Sequence, residues 1–156
     1  MAGRMQDKVT IITGSGSGIG AACFELFARE GATVIGCGRR LGQLEEQLAK
    51  VKAAGGQGMV MSADLAKNED ATRVVEETIK TYGRVDCLVH SASVGWSWSH
   101  TSPNSMNDIA NTPPDKWLEV VGINMHAAYY LCHAVLPHML ARKKGSLTMV
   151  ASISGM

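Results

Sequence analysis

Residues 13–20 read Thr13-Gly14-Ser15-Gly16-Ser17-Gly18-Ile19-Gly20, with glycine at every second position. A β-branched run, Val9 to Thr13, precedes the glycines as a strand buried on both faces would. After them Ile19, Cys23, Leu26 and Phe27 recur at helical spacing, until Gly31 supplies a stop. So tight a bend between strand and helix needs residues that can take positive φ. It also brings backbone without Cβ atoms to the start of a helix. There, free N–H groups and the helix dipole hold an anion such as a pyrophosphate. A P-loop is excluded, because no Lys-Ser or Lys-Thr follows the glycines. A glycine turn that binds nothing is the competing reading, and the flanking strand and helix weigh against it.

The alternation continues along the chain. Strands are predicted at Thr33–Cys37, Gly58–Met61, Cys87–Ser91 and Gly145–Ala151, and helices at Leu41–Ala54, Asn68–Tyr82 and Asp115–Arg142. The last helix is expected to kink at Pro137. Strands alternating with helices imply a parallel sheet with right-handed crossovers. The expected fold is therefore α/β: a doubly wound, Rossmann-like sheet of order 3-2-1-4-5, truncated after the fifth strand. Residues 1–156 read as one dinucleotide-binding domain, incomplete at its C-terminus.

Composition removes other classes. Fifteen basic and 14 acidic residues leave a net charge of +1, no field for gripping nucleic acid or a membrane surface. No apolar run approaches the ~18–20 residues of a membrane span, and no secretory signal follows Met1 to Lys8. Cys23, Cys37, Cys87 and Cys132 form no C-x-x-C pair and read as small apolar residues of a reducing compartment, so the chain is expected to be cytoplasmic. His126, His133 and His138 lack the i, i+4 spacing and carboxylate of a metal site, so no metal is expected.

The end of the second strand selects among coenzymes. Dinucleotide sites that hold an unphosphorylated ribose place an acid about 20 residues after the glycines. This chain has Gly36-Cys37-Gly38-Arg39-Arg40 there, and its first acid, Glu45, lies within the next helix. A guanidinium grips a 2′-phosphate bidentately, whereas a carboxylate repels it. The expected coenzyme is NADP(H), with NAD(H) left open. The competing reading makes Arg39 and Arg40 solvated loop charges.

Together these residues resemble the short-chain dehydrogenase/reductase family. The Thr13-Gly14-x-x-x-Gly18-x-Gly20 turn matches its cofactor signature, which implies coenzyme contacts at Gly14, Ser17, Gly18, Ile19 and Gly20. Asp64-Leu65 matches its adenine-contacting pair, although Asp64 could instead cap the following helix. Asn124 matches its helix asparagine, against a reading as a residue bonded back to its own helix. Gly145 to Gly155 resembles the strand that ends in the family's catalytic serine, which implies that role for Ser152, with Ser154 as the alternative. The resemblance runs from about Lys8 to Gly155.

Two departures stand out. The family's Asn-Asn-Ala-Gly is replaced by His90-Ser91-Ala92-Ser93, where Ser91 and Ala92 are expected to keep the position beside the coenzyme with altered contacts. The family's Tyr-x-x-x-Lys is missing: Tyr82, Tyr129 and Tyr130 are followed four residues on by Asp86, His133 and Ala134. The resemblance implies hydride exchange between a nicotinamide and a small-molecule carbonyl or secondary alcohol. In that chemistry oxygen gains negative charge, which the serine polarises, the tyrosine protonates and the lysine supports. The chain carries Ser152 and Asn124 but not the acid, so by itself it is expected to be inactive. A nucleotide-binding or partner-binding chain without catalysis is the alternative. The complete protein is expected to be a homo-oligomer.

A sheet that stops at its fifth strand leaves an open edge. The chain alone is expected to be unstable or to aggregate unless a second polypeptide completes it. Trp96 and Trp98, just beyond the fourth strand, either wall a substrate pocket or pack the loop.

Overall fold

β1 (Val9–Thr13) runs between two parallel neighbours, and all five of its residues are buried. The neighbours are β2 (Thr33–Gly38) and β4 (Cys87–His90). β3 (Gln57–Ser62) and β5 (Ser146–Met149) complete a parallel sheet of order β3-β2-β1-β4-β5, as expected from the sequence. This computed structural model describes residues 3–152, without the side chains of Trp96 and Ser97.

The period-two alternation of each strand sends its apolar side chains to two cores. Ile11, Ile35 and Leu88 face one side, where α3 (Asn68–Tyr82) contributes Val74 and Val75 and α5 (Ala127–Ala141) contributes Leu131 and Val135. Their chain neighbours Ile12, Val34 and Val89 face the other side, against Phe24 and Ala28 of α1 (Gly18–Arg29) and Val51 of α2 (Leu41–Ala53). Cys37 packs in the first core, and burial pushes its thiol up to about 12, so it acts as an apolar residue there. All four cysteines are free. Among the described residues, no helix is long and apolar enough to cross a membrane.

The long helix differs from expectation. α4 (Pro114–Val121) opens with Pro114 in its first turn, a five-residue π-helical turn follows at Gly122–His126, and α5 continues from Ala127. The change of hydrogen-bond pattern lies in that wide turn, and α5 runs on past Pro137 to Ala141. Pro137 and His133 are both exposed, so the carbonyl that proline leaves without a helical donor is on the solvent side.

Asp86, only 6% exposed, fastens three elements where β4 begins. Its carboxylate accepts from Arg142 Nη2 at 2.7 Å, Arg84 Nε at 2.9 Å and the Val9 N–H at 3.0 Å. Burial pushes this carboxyl up, but the bonds from Arg142, Val9 and Arg84 outweigh it and hold it at about 2.

Candidate functional site

Strand order reverses between β1 and β4, and open α/β sheets keep their ligand crevice at that point, outside the carboxyl ends of the strands. A cleft of about 310 Å³ lies there. Gly14, Ser17, Gly18 and Ile19 line it from the glycine turn, Arg39 and Arg40 from the end of β2. Asp64 and Leu65 line it beyond β3, Ser91 and Ala92 beyond β4. Ten of the residues singled out in the sequence thus meet at one place.

The turn has the shape an anion needs. Gly14 has φ of +67° and Gly18 +57°, in the left-handed region where side chains are strained. A Cβ on Gly14 would come 2.9 Å from Cα of Ala92, while one on Gly18 would meet nothing within 4 Å and would project into open space. Ser17 stands at the N-cap of α1 and makes no side-chain cap bond, so the helix start keeps amides for an incoming acceptor. A dinucleotide pyrophosphate fits this uncapped cradle. Gly20 differs: it is buried and does not line the cleft, and a Cβ there would run into the Gly14 carbonyl. Its lack of a side chain lets α1 pack close to the turn.

Thr13 and His90 were not legible as site residues, yet they hold the cleft's floor together. Thr13 Oγ1 accepts the N–H groups of Ser91 at 3.1 Å and Ala92 at 3.0 Å. It also lies 2.9 Å from His90 Nδ1. With both lone pairs engaged, the hydroxyl proton points to His90, whose Nδ1 accepts it. The imidazole is therefore neutral and carries its proton on Nε2, in accord with burial, which pushes its pKa down. The available signal was the replacement of an asparagine by His90 opposite the last residue of β1.

Asp64 does not cap α3, whose N-cap position is Lys67. Its carboxylate accepts the Ala66 N–H at 3.3 Å within the turn, and its own N–H donates to Asp70 at 2.6 Å. Arg73 braces that link by donating to Asp70 at 2.9 Å and to the Ser62 carbonyl at 2.8 Å. Arg40 reaches Ser17 Oγ at 3.4 Å across the mouth of the cleft.

Asn124 sits in the π-helical turn and bonds outside its own helix. Its Oδ1 accepts the Val94 N–H at 2.9 Å and its Nδ2 donates to the Val94 carbonyl at 3.0 Å. The side chain pins the segment leaving β4, and its neighbour Ile123 lines the cleft where Asn124 does not. Ser152 is exposed two residues beyond Val150, a cleft residue whose N–H donates to the His90 carbonyl at 2.9 Å. Ser154 and Gly155 lie outside the described residues, as does the Trp96 side chain. Trp98 packs its ring on Arg39, with the guanidinium carbon 4.2 Å from the ring centroid.

Fold and cleft define a Rossmann-like α/β protein. The short chain dehydrogenase family model matches residues 8–156, and the chain belongs to that family of oxidoreductases. An uncharacterized oxidoreductase of Listeria innocua is 33% identical over 152 residues, 97% of this chain and 58% of that protein. The L-sorbose reductase of Gluconobacter frateurii, solved with NADPH and L-sorbose, superposes with a TM-score of 0.86 at 32% identity, covering 98% of this chain and 55% of that one. A metagenomic short-chain oxidoreductase solved with NADP gives a TM-score of 0.88 at 27% identity, covering 97% and 66%. The chain thus spans 55–66% of the length of these proteins.

Proposed function

We propose that this chain is the coenzyme-binding part of an NADP(H)-dependent oxidoreductase. The observation that carries this reading is the uncapped start of α1 over the open Gly18 position, with Arg39 and Arg40 lining the same cleft. Two guanidinium groups at the end of β2, with no acid between that strand and Glu45, suit a 2′-phosphate. The NADP and NADPH complexes of the two solved relatives support the choice.

When bound, the reduced nicotinamide would supply a hydride to a carbonyl carbon, and the oxidised form would take one from a secondary alcohol. Ser152 polarises the substrate oxygen with its hydroxyl. Asn124 acts as a positioning residue, because its amide is spent on Val94 and so sets the wall of the cleft. The 156 residues contain no Tyr-x-x-x-Lys, so by themselves they bind coenzyme without turning over. The large apolar side chains exposed along α4 and the π-helical turn, Trp117, Leu118 and Met125, support a homo-oligomeric protein.

Calorimetric titration of the chain with NADPH and NADH tests the reading. NADPH is expected to bind more tightly by about tenfold or more, the difference that charge-assisted bonds to one phosphate supply, and Arg39→Ala is expected to remove most of it. Equal affinities, or no binding by folded protein, would overturn it.

A further inference from the structure

Arg39 is exposed on a strand end, where a long side chain loses rotamer entropy whenever it grips a ligand. Trp98, 59 positions later in the chain, removes part of that freedom. The Arg39 guanidinium lies over its ring at 4.2 Å from the centroid. Stacking engages the face of the guanidinium and leaves its in-plane N–H donors available. No carboxylate pairs with Arg39 among the described residues.

The ring is itself held. Its Nε1–H donates to Glu119 Oε1 at 3.0 Å, and Glu119 Oε2 accepts from Ser102 Oγ at 2.7 Å. Lys116 Nζ closes the cluster by donating to Ser102 Oγ at 2.8 Å. Ser102 is only 5% exposed, so this is a built anchor between α4 and the loop after β4. Arg39 lines the cleft and Trp98 does not, so the ring backs the guanidinium without occupying the ligand space.

We propose that Trp98, anchored by Glu119, is a specificity-determining residue: it holds the Arg39 guanidinium ready for the 2′-phosphate of the coenzyme. The inference rests on the NADP(H) reading above and extends it to a residue of the loop after β4. That loop, which leads to α4, thereby acts on the coenzyme's phosphate end. Discrimination between the two coenzymes depends on the loop being seated, as well as on the charge of Arg39.

The test uses two fragments of the coenzyme, adenosine 2′,5′-bisphosphate and adenosine 5′-monophosphate, titrated calorimetrically into the full chain. Trp98→Leu is expected to weaken the bisphosphate roughly three- to fivefold, the yield of one partly exposed cation–π contact, and to leave the monophosphate unchanged. Trp98→Phe retains an aromatic face and should preserve most of the discrimination. Glu119→Ala removes the anchor of the ring and should reproduce part of the loss, which also covers the case in which Trp98→Leu fails to fold. A Trp98→Leu protein that weakens both ligands equally would assign Trp98 a purely structural role and overturn the proposal. So would one that weakens neither. Arg39→Ala separates the two readings. If it abolishes discrimination while Trp98→Leu does not, the platform alone is wrong; if it leaves discrimination intact, the NADP(H) reading falls and the platform with it.

Discussion

Thr13 Oγ1 and His90 Nδ1 lie 2.9 Å apart at the paired ends of β1 and β4, and the hydroxyl between them serves three partners. Removing it with Thr13→Val strands the Ser91 and Ala92 N–H groups and the imidazole. With about 1 kcal/mol for each bond, the expected cost is about 2–4 kcal/mol, read as a lower midpoint in urea denaturation with an unchanged slope.

The same pair predicts a response to pH. Burial holds the His90 pKa below its ordinary value, so the unfolded chain binds the proton more readily than the folded one. The contribution of His90 is intact above about pH 6.5 and is lost as pH falls from there through the lowered folded value. His90→Gln should flatten this part of the stability profile, and a slope that survives the substitution would count against the neutral imidazole.

Asp86 predicts a second, more acidic loss. A carboxyl held at about 2 in the fold contributes fully above the unfolded value near 3.9 and loses that contribution as pH falls through about 2. The shift corresponds to about 2 kcal/mol. Asp86→Asn should lower stability at pH 7 and make acid unfolding between pH 4 and 2 shallower, as followed by circular dichroism.

Gly18 and Gly20 should separate binding from folding. Gly18→Ala puts a methyl group into open space at positive φ, costing about 1–2 kcal/mol in backbone strain and obstructing an anion at the helix start. Gly20→Ala drives a methyl group against the Gly14 carbonyl, and its effect of about 1–3 kcal/mol should fall on stability. Thermal melts paired with NADPH titration distinguish them: Gly18→Ala should weaken binding beyond what its stability loss explains.

β5 pairs only with β4 among the described strands, and its residues are exposed, Leu147 and Met149 by 37% and 39%. An open edge with apolar side chains is a template for another strand. A polypeptide of these 156 residues is therefore expected to self-associate with rising concentration, and Leu147→Lys to shift it toward monomer in sedimentation velocity. A cooperative, strictly monomeric melt of the unsubstituted chain would contradict this.

Much of the architecture was legible locally. The strands and first three helices fall within two residues of their predicted bounds, because alternation, helical periodicity and glycine stops act over a few neighbours. The long helix was legible in extent but not in form. Its irregular turn at Gly122–His126 accompanies the two bonds of Asn124 to Val94, a residue 30 positions earlier. No local pattern signals such a partner.

Residue order by itself determined the class of this protein: strands alternating with helices in a parallel sheet, with a side-chain-free bend at its first strand–helix turn. Those features depend on backbone conformation and on the spacing of apolar groups, both set by near neighbours. Only the tertiary structure decided that Thr13 serves His90 and that Gly20 packs against the Gly14 carbonyl. It alone set Trp98 against Arg39. Each of those roles is a contact between segments far apart along the chain or stacked closely in space, and it exists once the sheet has brought the ends of its strands together.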